Sequence, residues 1–181
     1  MTLKLLSLTI AAGLAMSAPV ANAAIYNFTQ TGYEEGATIF GSFEANDLTS
    51  NGKIEGSIYS NFSEISAFTV SFSGNSLVSA FTHSLSNLEF LIYNPARSVL
   101  GDQGQEVIAT NWFGTTGFFY ITGVGTGEQG GYVENLDTGL WSHSENLVNV
   151  TPAAVPVPGA VWLFGSALAG FIGAARRKKA N

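Results

Sequence analysis

Apolar and polar residues alternate along the middle of the chain, from about residue 24 to residue 151. In the segment FTVSFS, residues 68–73, every second side chain is apolar and the others carry hydroxyl groups. This period of two is typical of a strand with one buried face. Similar segments lie between clusters of Gly, Asn and Ser, and they predict about nine strands: 25–29, 39–43, 54–59, 68–73, 88–93, 107–113, 118–122, 132–135 and 147–151. Short strands with turn residues about every 8–15 positions predict one all-β domain, a small β-sandwich or jelly roll.

The N-terminal residues follow a different pattern. Lys4 precedes a largely apolar, uncharged stretch, residues 5–16, and the small residues Ala21 and Ala23 come shortly after it. This is the layout of a secretory signal peptide that signal peptidase cleaves before Ala24. The alternative is an amphipathic first helix, but such a helix would need a polar face. Residues 1–23 are therefore predicted to be a signal peptide, and residues 24–151 an exported domain.

The C-terminal end carries a second uncharged segment, residues 158–175, which is followed by the basic run Arg176, Arg177, Lys178 and Lys179. As a helix, this segment would span about 27 Å at about 1.5 Å per residue, close to the roughly 30 Å hydrocarbon core of a bilayer. Basic residues remain on the cytoplasmic side. Residues 160–175 are therefore predicted to be a transmembrane helix and residues 176–181 a cytoplasmic tail. The alternative, a buried core helix, would normally show a polar stripe.

The order of these C-terminal features resembles the PEP-CTERM sorting signal of Gram-negative bacteria. The resemblance covers residues 155–179 and includes Pro156, Pro158, the stretch VWLFGS at 161–166 and the basic run. Val157 stands where the family has its namesake Glu, in a VPxP variant of the motif. The resemblance implies that an exosortase, a membrane cysteine protease, recognises the segment in the inner membrane and cuts near the prolines. It also implies a final location at the cell surface or outside the cell, often beside exopolysaccharide gene products. Residues 152–159 then form the linker and sorting motif.

The predicted exported domain is strongly acidic. It contains all thirteen acidic residues of the chain and only two basic ones, Lys53 and Arg97, which leaves eleven net negative charges. Such a domain repels nucleic acid and anionic membranes, so nucleic acid is not expected as a partner. It also repels acidic polysaccharide unless divalent cations bridge the two. The chain contains no cysteine, which excludes disulfides, thiolate metal sites and a cysteine nucleophile.

The segment NDLTSNGKI, residues 46–54, resembles a degenerate calcium loop of the EF-hand or dockerin type. Asp47, Thr49 and Asn51 would take the first, third and fifth ligand positions, and Gly52 the sharp turn. The bidentate Glu of position twelve is missing, because Ile58 stands there. An Asn-Gly hairpin turn explains the same residues. Calcium is therefore a weak candidate, and no other cofactor is predicted.

Aromatic residues on the predicted strands have two interpretations. They either fill the core of a sandwich, which is the more common arrangement, or form a platform for sugar rings: Phe68, Phe72, Phe90, Phe118, Tyr120 and Trp141. Trp112 and Trp141 lie beside polar turn residues, where a ring can stay exposed. These two are the best candidates for sugar-binding residues.

Side chains suited to catalysis are scarce, since His83 and His143 are the only histidines. A triad of Ser142, His143 and Glu145 is not expected, because adjacent residues of a strand point to opposite faces. The nucleophile elbow G-x-S-x-G is absent. The carboxylate pair at 34–35 fits a solvated turn better than a glycosidase dyad. We expect no enzymatic activity. The two main hypotheses are a structural or adhesive component of the extracellular matrix, and a carbohydrate-binding module at the cell surface. A small hydrolase remains a third, because residues distant in sequence can converge in the fold.

Mass spectrometry of the mature protein from its own cell tests the predicted processing at both ends. We expect a mass that begins at Ala24 and lacks residues 160–181, because signal peptidase and exosortase each remove one apolar segment. An intact mass that includes residues 160–181 would contradict the sorting prediction.

Overall fold

The structure, a computed structural model, describes residues 23–60, 63–102, 104–123 and 130–153. Within these residues the chain forms twelve β-strands and two single-turn 3-10 segments, Glu34–Gly36 and Leu85–Asn87. The strands are β1 (Ala24–Gln30), β2 (Ile39–Ala45), β3 (Ile54–Ser57), β4 (Ile65–Phe72), β5 (Phe81–Ser84), β6 (Leu88–Tyr93), β7 (Val99–Leu100), β8 (Val107–Thr110), β9 (Phe118–Thr122), β10 (Gly131–Asn135), β11 (Leu140–Ser144) and β12 (Val148–Pro152).

The strands form two six-stranded sheets in which every pairing is antiparallel. The first sheet has the order β5-β4-β2-β1-β12-β7, and the second has the order β11-β10-β9-β8-β6-β3. The sheets pack face to face. Between them, the ring centroids of Tyr26 and Phe43 on the first sheet lie 5.5 and 5.8 Å from the ring centroid of Tyr93 on the second. The prediction of an all-β sandwich is confirmed.

Each of the nine predicted strands overlaps an observed strand, but β5, β7 and β11 are not among the predictions. Two of the three lack apolar alternation, because polar side chains take their inward positions: His83 in β5, and Ser142 and Ser144 in β11. The remaining strand, β7, has only two residues. The strand predicted for 107–113 is too long. It ends at Thr110 because Asn111 has a positive φ of 55° and turns the chain.

Apolar burial holds the two sheets together. Along β4, the buried residues Phe68, Val70 and Phe72 alternate with more exposed positions. Inward side chains from both sheets join in one hydrophobic cluster. Each large apolar side chain that is fully buried contributes about 1.5–3 kcal/mol, so this cluster is the main source of stability in a domain without disulfides.

The side-chain amide of Gln30 lies in a buried hydrogen-bond network between the sheets. From β1 it donates through Nε2 to Thr122 Oγ1 on β9, at 3.1 Å, and to the carbonyl of Asn146, at 2.6 Å. Its Oε1 accepts from the hydroxyls of Tyr33, at 2.7 Å, and Tyr120, at 3.0 Å. Both donors and both acceptor positions of the amide are therefore used, so that the polar group can be buried without penalty.

The surroundings of Gln30 are adapted to this network. A Cβ at position 131 would lie 2.1 Å from Gln30 Oε1 and 2.3 Å from Tyr33 Oη, so Gly131 leaves the space that the two groups need. Burial raises the pKa of Tyr33, and likewise the pKa of Tyr120. Both hydroxyls therefore remain protonated and can donate to Gln30.

Among the described residues, three acidic side chains are buried without a basic partner: Glu64, Glu89 and Glu106. Each carboxylate instead accepts hydrogen bonds from backbone amides, most of which belong to connecting loops. Glu64 accepts from the amides of Leu48, Thr49 and Glu55, at 2.7, 3.0 and 2.9 Å. Glu106 does the same with two amides. These charge-assisted bonds fix the loops to the sheets.

Replacing Gln30 with Leu tests the network between the sheets. The variant keeps a similar side-chain volume but leaves the Tyr33 and Tyr120 hydroxyls and Thr122 without their partner. We expect urea unfolding to show a loss of about 2–5 kcal/mol in the free energy of unfolding. The exposed Gln105 provides the control, since Gln105→Leu should change this energy by less than about 0.5 kcal/mol. Similar small effects of both variants would show that the network does not stabilise the fold.

Candidate functional site

The two outer faces of the sandwich differ in chemistry. On the first sheet, one row of paired outward positions crosses four strands and is entirely polar: Asn27, Ser42, Thr69 and Ser84. A polar outer face is usual for an antiparallel sheet. On the second sheet, by contrast, the outward positions of β6, β8 and β9 are apolar: Phe90, Ile92, Val107, Ala109, Phe119 and Ile121. Burial in the core therefore does not explain the apolar residues on the outer face of the second sheet.

Seven aromatic side chains form a continuous line on this face, which we call the aromatic stripe: Tyr59, Phe90, Phe113, Trp112, Phe119, Tyr132 and Trp141. Neighbouring ring centroids in the line lie 5.3–6.4 Å apart. The stripe crosses all six strands, from the end of β3 to β11, and at about 4.8 Å between strands it spans about 24 Å. Phe113 is 64% exposed, Tyr59 59% and Trp141 51%. Exposed apolar surface of this extent is typical of a binding site.

Glu89 positions three rings of the aromatic stripe. Its buried carboxylate accepts hydrogen bonds from the backbone amides of Trp112, at 2.6 Å, and Phe113, at 3.1 Å. The hydroxyl of Tyr59 donates to the same carboxylate at 3.3 Å. Glu89 lies where the pairing of β6 with β8 is irregular. One carboxylate therefore joins the loop after β8 to the loop after β3, and the rings are held in place before any ligand binds.

An open groove of about 440 Å³ accompanies the aromatic stripe. Phe90, Trp112 and Phe113 line it together with aliphatic side chains of β6, β8 and β9. Volumes of roughly 300–1,000 Å³ and a predominantly apolar lining are usual for ligand sites. The groove is therefore large enough to hold part of an extended ligand.

The structure separates the aromatic residues that the sequence left ambiguous. Trp112 and Trp141 are exposed, as predicted, and both belong to the aromatic stripe, as does Phe90. The other candidates belong to the core or pack against it: Phe68, Phe72, Phe118 and Tyr120. The stripe contains four rings that the sequence analysis did not select: Tyr59, Phe113, Phe119 and Tyr132. Of these four rings, only Phe119 could have been selected from the sequence. Strand β9 has large side chains on both of its faces, and one of the two faces must lie outside the core.

The residues considered for catalysis have structural contacts. Ser142 is buried on the inner face of β11, whereas its neighbour His143 belongs to the outer face, so the two do not form a relay. The Ser142 hydroxyl donates to Glu34 and holds the pKa of that carboxyl below its usual range. Glu35 accepts from the backbone amide of Ser76 at 3.0 Å. Glu34 therefore binds strand β11, while Glu35 binds the loop between β4 and β5.

The predicted calcium ligands lie in the loop between β2 and β3, where Asp47 accepts hydrogen bonds from loop amides. Its Oδ1 accepts from the amide of Asn51 at 3.1 Å, and its Oδ2 from that of Gly52 at 2.8 Å. The hydroxyl of Thr49 donates to Glu64 at 3.2 Å. Within the described ranges, no group of three or more His, Cys, Asp or Glu side chains could hold a metal ion. Weak calcium binding here stays a prediction.

The sorting motif at 156–158, the basic run at 176–179 and the signal-peptide residue Ala21 lie outside the described residues. Strand β1 begins at Ala24, the residue predicted to follow signal cleavage. In the part of the chain that the structure describes, no helix combines the length and hydropathy needed to cross a bilayer. In comparisons with known proteins, no family model, curated protein or solved structure matches the chain.

The buried His83 makes stability depend on pH. Its Nδ1 lies 2.8 Å from Thr110 Oγ1, and burial lowers its pKa from the ordinary value of 6.5. As the pH falls through about 6.5, the unfolded chain binds the proton first, so the free energy of unfolding decreases toward the folded-state pKa. We expect His83→Gln to flatten this dependence between about pH 7 and pH 5 in urea titrations.

His143→Gln is the matched control, because it removes the other histidine from the outer face of β11. The slope should change less in this control than in His83→Gln, because His83 is buried and His143 is only half-buried. An unchanged slope in His83→Gln would show that His83 is not the responsible group.

Proposed function

We propose that this chain is an exported, non-catalytic β-sandwich that binds polysaccharide at the cell surface or in the extracellular matrix. The observation that carries the proposal is the aromatic stripe, which crosses the outer face of the second sheet. Four of its seven rings are exposed, and a buried carboxylate fixes three of those four. A structural component alone would not require this arrangement.

Sugar polymers match the chemistry of this face. The two faces of a pyranose ring present C–H groups that pack on aromatic rings, while its hydroxyls point outward and need polar partners. The aromatic stripe offers both kinds of contact. Glu134 pairs directly opposite Trp141 between β10 and β11, and it accepts a hydrogen bond from Tyr132 Oη at 2.9 Å. An extended chain on the stripe therefore meets flat rings and a hydrogen-bond acceptor side by side.

Net charge makes other occupants of the stripe less suitable. With eleven net negative charges, the domain repels anionic bilayers, and two copies repel each other. A neutral polysaccharide experiences neither repulsion. The same charge opposes polyanionic polymers, so the proposed ligand is a neutral sugar chain.

Features outside the stripe support the exported location. The signal-peptide pattern ends at Ala23, and the C-terminal residues 155–179 resemble a PEP-CTERM sorting signal. Signal peptidase and exosortase are therefore the proposed partners during transit through the inner membrane of a Gram-negative bacterium. A polysaccharide ligand fits a destination at the surface or in the matrix outside the cell.

Affinity gel electrophoresis with soluble neutral polysaccharides, and pull-down with insoluble ones, test the proposed binding. We expect retardation of the exported protein, and we expect Trp141→Ala and Phe113→Ala each to weaken binding about tenfold, equivalent to about 1.4 kcal/mol. Phe40→Ala is the matched control, since Phe40 is an exposed ring on the outer face of the first sheet. Equal losses in all three variants, or association with vesicles or with a second copy in place of sugar, would contradict the proposal.

A further inference from the structure

A second cavity, of about 190 Å³, adjoins the groove beside the aromatic stripe. The two cavities share Ile92 and Gln105 in their linings. Lys53, Asn94 and Arg97 also line the smaller cavity, which we call the polar pocket. Both basic residues of the exported domain therefore meet at one place, directly next to the apolar groove.

The wall of the polar pocket is fixed by its own hydrogen bonds. The backbone amide of Arg97 donates to the carbonyl of Asn94 at 3.0 Å, and the Tyr93 hydroxyl donates to the carbonyl of Arg97. Burial raises the pKa of Tyr93 to about 12, so this hydroxyl stays a donor. Glu106 accepts from the amide of Asn94 at 3.3 Å, and Asp102 pairs with the Arg97 guanidinium. The carboxylates of Glu106 and Asp102 therefore bind other residues of the pocket wall.

Several groups of the polar pocket retain hydrogen-bonding capacity. Lys53 Nζ lies 4.0 Å from Glu55 Oε1, at the limit of an ion pair, and its side chain is 46% exposed. The side-chain amide of Gln105 and the Nδ2 group of Asn94 make no hydrogen bond with any described residue. The available capacity consists of three donor groups and one amide oxygen, beside the aliphatic side chain of Ile92.

This combination matches an acetamido group. Its carbonyl accepts from donors such as Lys53 and Asn94, its N–H can donate to the Gln105 amide oxygen, and its methyl group can contact Ile92. It is also neutral, so the acidic surroundings do not oppose it. A carboxylate in the same place would face Glu55 and the net negative charge of the domain.

We infer that the polar pocket recognises the acetamido group of an N-acetylated amino sugar within a chain that lies on the aromatic stripe. The inference rests on the proposed polysaccharide binding and names the sugar unit that the site selects. In this arrangement the stripe supplies affinity for the polymer, while the polar pocket supplies selectivity.

Isothermal titration calorimetry of the exported protein with two hexasaccharides tests the inference. Both have the same β-1,4 backbone, one built from N-acetylglucosamine and the other from glucose, so that they differ only at the second carbon of each ring. We expect the N-acetylated hexasaccharide to bind about tenfold more tightly, as expected for one or two added hydrogen bonds.

Variants assign any preference to the polar pocket. In Lys53→Met/Gln105→Leu we expect the ratio of the two affinities to fall close to one. In Trp141→Ala we expect both affinities to fall by a similar factor, so that the ratio is kept. Equal affinities of the native protein for the two sugars, or a ratio that the double variant does not change, would overturn the inference but not the proposed function. Absence of binding to either sugar would also overturn the inference, and the affinity experiments with other neutral polysaccharides would then decide the proposed function.

Discussion

The amide of Gln30 is the polar contact on which the union of the two sheets depends. It comes from β1, near the middle of the first sheet, and reaches Thr122 and Tyr120 on β9 of the second. Its four hydrogen bonds use the full capacity of an amide. All four can form only in this one alignment of the sheets, and any other alignment would leave a buried polar group without a partner. Apolar packing favours contact between the sheets, while the Gln30 network specifies their relative position.

Buried carboxylates fix the loops in a comparable way. Glu64, Glu89 and Glu106 each accept hydrogen bonds from backbone amides rather than from basic side chains. An ionised carboxylate binds amides strongly, and the chain has no cysteine with which to close its loops by disulfides. Three of the thirteen acidic residues therefore have a structural role.

The same mechanism connects the fold to the proposed ligand. Glu89 holds the loop that carries Trp112 and Phe113, and the two hydrogen bonds to its backbone leave both rings free to meet a sugar. Ile92 connects the groove beside the aromatic stripe to the polar pocket, because it lines both of these cavities. A flat apolar surface and a small polar recess thus lie side by side on one face. The first sheet, whose outer face includes a row of hydroxyl and amide groups, completes the core of the sandwich.

The sequence by itself determined the all-β class and the position of nine strands, because the alternation of apolar and polar residues is visible within each short segment. It did not reveal β5 and β11, whose inward residues His83 and Ser142 are polar. It also left open which face of β9 is buried, since Phe119 and Tyr120 are equally suited to a core. Only packing against the first sheet decided this, by covering Tyr120 and leaving Phe119 outside. Likewise, Lys53 and Arg97 line one pocket because β3 pairs with β6, a contact between segments that are distant in sequence.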